Sequence, residues 1–145
     1  MTVLDLAKEW LRYAQSDLNT ATHMFYDVHT KETEISCYHS QQCAEKALKA
    51  YLVSKGITPP YTHDLLELSN LCTAQEKDFS NLQPCCVSLN PYSVHTRYPN
   101  ELEIDDTIAK LALDKAQFVY QFVVKKIQGN INGQNDGTND EFPTD

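Results

Sequence analysis

The stretch Cys37-Tyr38-His39-Ser40-Gln41-Gln42-Cys43-Ala44-Glu45-Lys46-Ala47-Leu48-Lys49-Ala50-Tyr51-Leu52 decides the fold. It contains neither Gly nor Pro, and its apolar residues recur at helical spacing. At about 100° per residue, Cys37, Gln41, Ala44, Ala47, Leu48, Tyr51 and Leu52 share one broad face, the expected core face. The opposite side gathers His39, Gln42, Cys43, Lys46, Ala50 and Val53. A solvent face would be rich in Glu and Lys, whereas this one is small and mildly polar. Two readings follow. The face is a seam for a second copy or a cleft for a ligand, with His39, Gln42, Cys43 and Ala50 at the seam, or the helix is buried on both sides within one bundle. Glu45 and Lys49 stand four apart in the favourable order, worth a few tenths of a kcal/mol at about 0.2–0.5 per exposed pair.

Outward from this segment the same periodicity continues. The helix should cover about 34–55 and close at Gly56, with Pro59-Pro60 enforcing an extended connection. Upstream, Ala7, Leu11, Ala14, Leu18, Ala21 and Phe25 predict a helix over about 3–27, opened by Thr2 with Asp5 as a capping box. Downstream, Thr62 is placed to cap a short helix carrying Leu65, Leu68 and Leu71. Thr73-Ala74-Gln75-Glu76 reads as the capping box of a fourth helix with Phe79, Leu82, Cys86 and Leu89 inward, kinked or split by Pro84. Residues 90–103 read as an ordered loop. From Asp105 a last helix should run to near Gly129, and the polar residues that follow should be a disordered acidic tail. The expected architecture is all-α, an antiparallel up-and-down bundle of three long and two short helices over 1–128, with 129–145 as tail.

Composition narrows the function classes. The chain has 145 residues and a formal net charge of −8, from 20 acidic and 12 basic side chains. Four of the acids lie in the tail, which leaves 16 acids against 12 bases in the body. A diffuse acidic surface repels polyanions, so non-specific nucleic-acid binding is not expected, although one local phosphate site is compatible with it. No run is long and apolar enough for a membrane span, and no secretory leader is expected. Five scattered cysteines fit reduced thiols and a cytoplasmic location. His39 and Cys43 are spaced like two metal ligands, but no second pair with zinc-like spacing accompanies them, so neither a metal nor another cofactor is expected.

The quoted helix resembles the signature helix of HEPN domains (higher eukaryotes and prokaryotes nucleotide-binding). Trp10, Ala14, Asp17-Leu18 and Ala21 in the first helix, Thr62-His63-Asp64-Leu65 after the Pro-rich turn, and Arg97-Tyr98-Pro99 before the last helix agree with it. The likeness covers about residues 5–127. It implies a helical bundle, usually a homodimer, often partnered by a minimal nucleotidyltransferase and sometimes the toxin half of a toxin–antitoxin pair. Many members are metal-independent ribonucleases with Arg, four to six residues, then His. Here the only arginines are Arg12 and Arg97, and the matching windows, Asp17-Leu18-Asn19 and Leu102-Glu103-Ile104, hold no histidine.

Candidate binding residues are few. Arg97 offers a planar fork for phosphate and Tyr98 a stacking surface; the structural alternative pairs Arg97 with Asp64, Glu101 or Asp105. His63 stands at an expected helix start, where free N–H groups favour anions, and Asp64 there complements the helix dipole. Lys46, His63, Arg97 and Tyr98 would together form a nucleotide or phosphate locus if the fold brings them together. No catalytic residue is assigned. The expected function is a non-catalytic, homodimeric HEPN-like module that binds a nucleotide, a nucleotidyltransferase partner, or both. The alternatives are a ribonuclease-type toxin with His63 or His95 as substitute base, and a purely structural interaction protein.

Overall fold

The structure, a computed structural model, describes residues 1–94, 103–134 and 142–143. Among them are five α-helices and no strand: α1 (Val3–Tyr26), α2 (Thr33–Ser54), α3 (Leu65–Gln75), α4 (Gln83–Leu89) and α5 (Asp106–Gln134). Two 3₁₀ segments, Lys77–Leu82 and Asn90–Ser93, flank α4.

Local signals explain most of the boundaries. Thr2 and Asp5 exchange backbone-to-side-chain bonds of 3.1 and 3.0 Å, a reciprocal box that satisfies two orphan donors at the start of α1. Gly56, at φ +76°, ends α2: its N–H bonds to Val53 O and that of Ile57 to Leu52 O, both at 2.9 Å. That pairing satisfies α2's last carbonyls and needs the left-handed conformation glycine tolerates. α3 is capped by Asp64, whose Oδ1 accepts from Leu66 N at 2.9 Å. Thr62, expected as the cap, instead accepts from Asp64 N in the turn before it.

The Thr73–Glu76 box does not form. α3 runs through Thr73, whose hydroxyl donates to Ser69 O at 2.8 Å, and Glu76 closes that helix. The hydroxyl finds its partner inside the helix it already occupies, so no new start is made. The expected fourth helix is split at Pro84 into the 3₁₀ segment Lys77–Leu82 and α4, and Pro84 lies in the first turn of α4, where its missing N–H costs nothing. α5 passes Gly129 and Gly133 and reaches Gln134, further than expected.

α2 is the axis. α1 packs along one side of it, α5 along another, and α3 and α4 cover a third. The short link after α1 makes α1 and α2 antiparallel. α5 enters beside the start of α2, where Thr33 Oγ1 donates to Ile104 O at 2.8 Å and Lys31 pairs with Asp106 at 2.7 Å, and then runs alongside it in the same direction. The core holds Leu11, Leu48, Leu52, Leu65, Leu68, Leu82 and Val119, all fully buried. At its far end the Tyr51 and Phe79 rings meet tilted at 4.2 Å between centroids, with Phe122 edge-on to Phe79 at 5.2 Å. Among the described residues no helix is long and apolar enough to cross a membrane.

Candidate functional site

A helix surrounded on all sides must bury whatever polar residues it carries, and α2 carries several. Of its two faces, the one expected as a seam is packed within the protomer. Cys43 and Ala50 are fully buried, Gln42 is nearly so, and the Cys43 thiol faces Ala116 O on α5. Neither Cys43 nor Ala50 has surface to offer a second copy, because α1 and α5 already occupy that side. His39 and Lys46 keep partial exposure.

Two carboxylates organise the polar side chains. Glu45 on α2, only 3% exposed, accepts from Lys49 Nζ at 3.1 Å through one oxygen and meets His63 Nδ1 at 2.8 Å through the other. Asp17 on α1, 8% exposed, meets His39 Nδ1 at 2.8 Å and Lys46 Nζ at 2.6 Å. Each cluster thus joins a buried carboxylate, one lysine and one imidazole, and each ties α2 to a neighbouring segment. Lys46 and His63 take different partners, Lys46 bonding Asp17 and His63 bonding Glu45. Glu45 and Lys46 are adjacent, so their side chains leave the helix about 100° apart, Glu45 towards the link before α3 and Lys46 towards α1.

His63 is placed by several contacts. Pro59-Pro60 hold the link extended, and Gln41 Nε2 donates to the His63 carbonyl at 2.9 Å. Gln42 Nε2 steadies Gln41 by donating to its Oε1 at 2.8 Å. Asn90 fixes the chain just beyond: its Oδ1 accepts from Leu65 N at 2.9 Å, and its Nδ2 donates to the capping carboxylate of Asp64 at 3.0 Å. An ionised carboxylate only accepts, so the Glu45 contact assigns the hydrogen of the imidazole to Nδ1 and leaves Nε2 for solvent or ligand. The His63 side chain is 71% exposed although its anchor is buried. A fixed imidazole with one committed and one open nitrogen can accept or donate a proton at a stated atom, and can hydrogen-bond an anion when protonated.

The electrostatics are balanced locally. Lys49 is spent on Glu45 and Lys46 on Asp17, so neither ammonium brings surplus positive charge to His63. Lys49 also lies 5.6 Å from the Trp10 ring. Thiol chemistry is disfavoured: burial raises Cys72 and Cys85 above the ordinary thiol value and pushes Cys86 up to about 11, so all three stay protonated near neutrality. Among the described residues no group of three His, Cys, Asp or Glu is placed to hold a metal ion. Arg97, Tyr98 and His95 lie outside the described residues.

Glu45 and Asp17 are the residues that reading along the chain passed over. Glu45 was legible as half of an i,i+4 pair with Lys49 within the signature helix, and Asp17 as a first-helix residue of the family likeness, neither with a role in a site. Their roles come from partners 18, 22 and 29 positions away.

Comparison with known proteins agrees with this fold. The family model described as HEPN domain matches residues 7–127. A Methanocaldococcus jannaschii protein named "Putative toxin MJ1304" is 34% identical over 100 residues, 64% of this chain. The chain spans 63% of the length of that relative. Two crystal structures are similar, each covering 83% of this chain and 97% of the other. One is ST0689, an archaeal HEPN homologue, at 26% identity and TM-score 0.63. The other is TT1696 from Thermus thermophilus, at 27% identity and TM-score 0.70.

Proposed function

The chain belongs to the HEPN domain family, and on that premise we propose that it is a toxin-type HEPN module that engages the phosphate of a nucleotide through His63. The observation that carries the reading is the imidazole itself, held by buried Glu45 at Nδ1 and open at Nε2. The toxin-named relative supports the class. The charge distribution supports a small ligand: an acidic protein whose nearest lysines are already paired suits a mononucleotide or a nucleic-acid end better than a long polyanion. Arg97 and Tyr98, outside the described residues, are the further contacts this reading assigns by their chemistry, the guanidinium to phosphate and the ring to the base. A minimal nucleotidyltransferase is the partner we assign to it. Its homodimer would meet through exposed Ile108, Leu111 and Phe118 on α5 rather than through α2.

A second reading is favoured by one detail. The Glu45–His63 bond sets the imidazole tautomer as a general base requires, so the module would cleave RNA with His63 abstracting a proton. Calorimetric titration with ATP and GTP, RNA cleavage without added metal, and growth on induced expression test both. Saturable nucleotide binding and growth arrest, both lost in His63→Ala with folding intact, are expected. RNA cleavage lost in the same variant selects the second reading. A wild type that neither binds nucleotide, cleaves RNA nor slows growth overturns both.

A further inference from the structure

The three long helices do not close evenly. α1 and α5 each pack closely on α2 but only loosely on each other, and a groove opens between them. Near the middle of α5 it encloses about 380 Å³, lined by Gln15, Leu18, Tyr120, Val124 and Lys125. Towards the start of α5 it continues as a more polar space of about 500 Å³ that includes Asn19, His23 and Lys110.

One end of this groove already holds chain. Phe142 is half-buried against the core cluster, and the Lys8 ammonium lies 5.4 Å from the centre of its ring. The Tyr120 hydroxyl donates to Pro143 O at 2.7 Å, and Pro143 itself lines the groove. Apolar contact, a cation over an aromatic face and a hydrogen bond to a peptide carbonyl are three different modes of recognition meeting on two consecutive residues.

We propose that the groove between α1 and α5 is a peptide-binding site for an acidic segment carrying Phe-Pro, and that its resident occupant is this chain's own Phe142-Pro143. Reach permits it. From Tyr120 to the end of α5 at Gln134 the helix advances about 21 Å, at 1.5 Å per residue. The nine residues on to Pro143 can span up to about 30 Å, enough to double back within one molecule. Charge permits it too, since Lys8 and Lys125 border the site and acids flank the Phe-Pro pair in the sequence. Proline restricts the free segment beforehand, so less conformational entropy is lost on docking. A partner protein presenting the same chemistry would have to displace a tethered competitor, whose effective concentration is on the order of millimolar.

The test uses the full-length chain and a synthetic peptide spanning Asn139–Asp145. Phe142→Ala vacates the groove without touching the helices, and circular dichroism verifies its fold. Calorimetry should show saturable binding of the peptide to Phe142→Ala and at least about tenfold weaker binding to wild type, as expected for intramolecular competition. Adding Tyr120→Phe to Phe142→Ala should weaken peptide binding, since the ring stays and only the donor is lost. No binding to the Phe142→Ala chain, or equal binding to both chains, overturns the proposal. A wild-type dimer that becomes a monomer in Phe142→Ala overturns the assignment within one molecule and puts the tail on a second copy.

Discussion

Glu45→Gln should destabilise the protein by about 3–5 kcal/mol, the range expected when one partner of a buried ion pair is removed. Glu45 is 3% exposed and Lys49 7%, so water cannot replace the lost carboxylate at the ammonium. The substitution preserves volume, which separates the loss of charge from the opening of a cavity. A Gln side-chain oxygen can still accept from Lys49 while its amide nitrogen donates to His63 Nδ1 once the imidazole hydrogen moves to Nε2, so what is lost is the negative charge opposite the buried Lys49 ammonium. For a chain of 145 residues each kcal/mol moves the midpoint by roughly 2–4 °C, so Tm should fall by about 6–20 °C. Thermal and urea unfolding followed by circular dichroism measure it. The decisive companion is Glu45→Leu with Lys49→Met, which removes both charges while filling the space and should recover most of the loss. A Glu45→Gln protein within about 1 kcal/mol of wild type, or a double variant no better than the single one, would refute the reasoning.

Three further outcomes are expected. Ala50→Arg should cost more than about 4 kcal/mol and abolish cooperative unfolding, because Ala50 is fully enclosed and a guanidinium there is both overpacked and unpaired; a stable monomeric variant would return Ala50 to a subunit seam. Burial alone would raise the Glu76 carboxyl, but hydrogen bonds from Asn130 and Tyr51 and the ammoniums of Lys55 and Lys126 outweigh it and hold the group below its ordinary 4.5. Its stabilisation is therefore complete above that value and is lost as pH falls through the lower folded value, and Tyr51→Phe should cost about 1–2 kcal/mol near neutrality and flatten the acid limb of the urea midpoint against pH. Native protein should react with a disulfide reagent at Cys85 alone among its five cysteines, more slowly than a free thiol because burial raises its pKa, with Cys37, Cys43, Cys72 and Cys86 reacting only on unfolding; fast modification of Cys72 would contradict the packing of α3 on α2.

Helix-forming signals that act within a turn or two were legible before the fold was known. The reciprocal Thr2–Asp5 box, the left-handed Gly56 and the apolar ladder Ala7, Leu11, Ala14, Leu18 and Ala21 depend on neighbours three or four residues away, and the structure places them as read. Thr73 marks where such reading is ambiguous. A Thr three residues before Glu can open a helix or sit inside one, and packing of Cys72 into the core keeps Thr73 inside α3.

The candidate site divides the same way. Along the chain, His63 was legible as a residue at a helix start after a rigid link, and α2 as a helix with two non-solvent faces. Nothing in the order of residues could pair Glu45 with His63, Asp17 with His39 and Lys46, or Tyr120 with Pro143. Those contacts depend on how α1, α3 and α5 lie against α2, and burial then turns an exposed pair worth tenths of a kcal/mol into one that costs several when a single partner is removed. The amino-acid sequence by itself determined which segments are helical and which faces must leave water. Tertiary structure alone decided which charges distant along the chain meet and what stays open to a ligand, because hydrophobic periodicity is a local property and long-range electrostatic partnership is not.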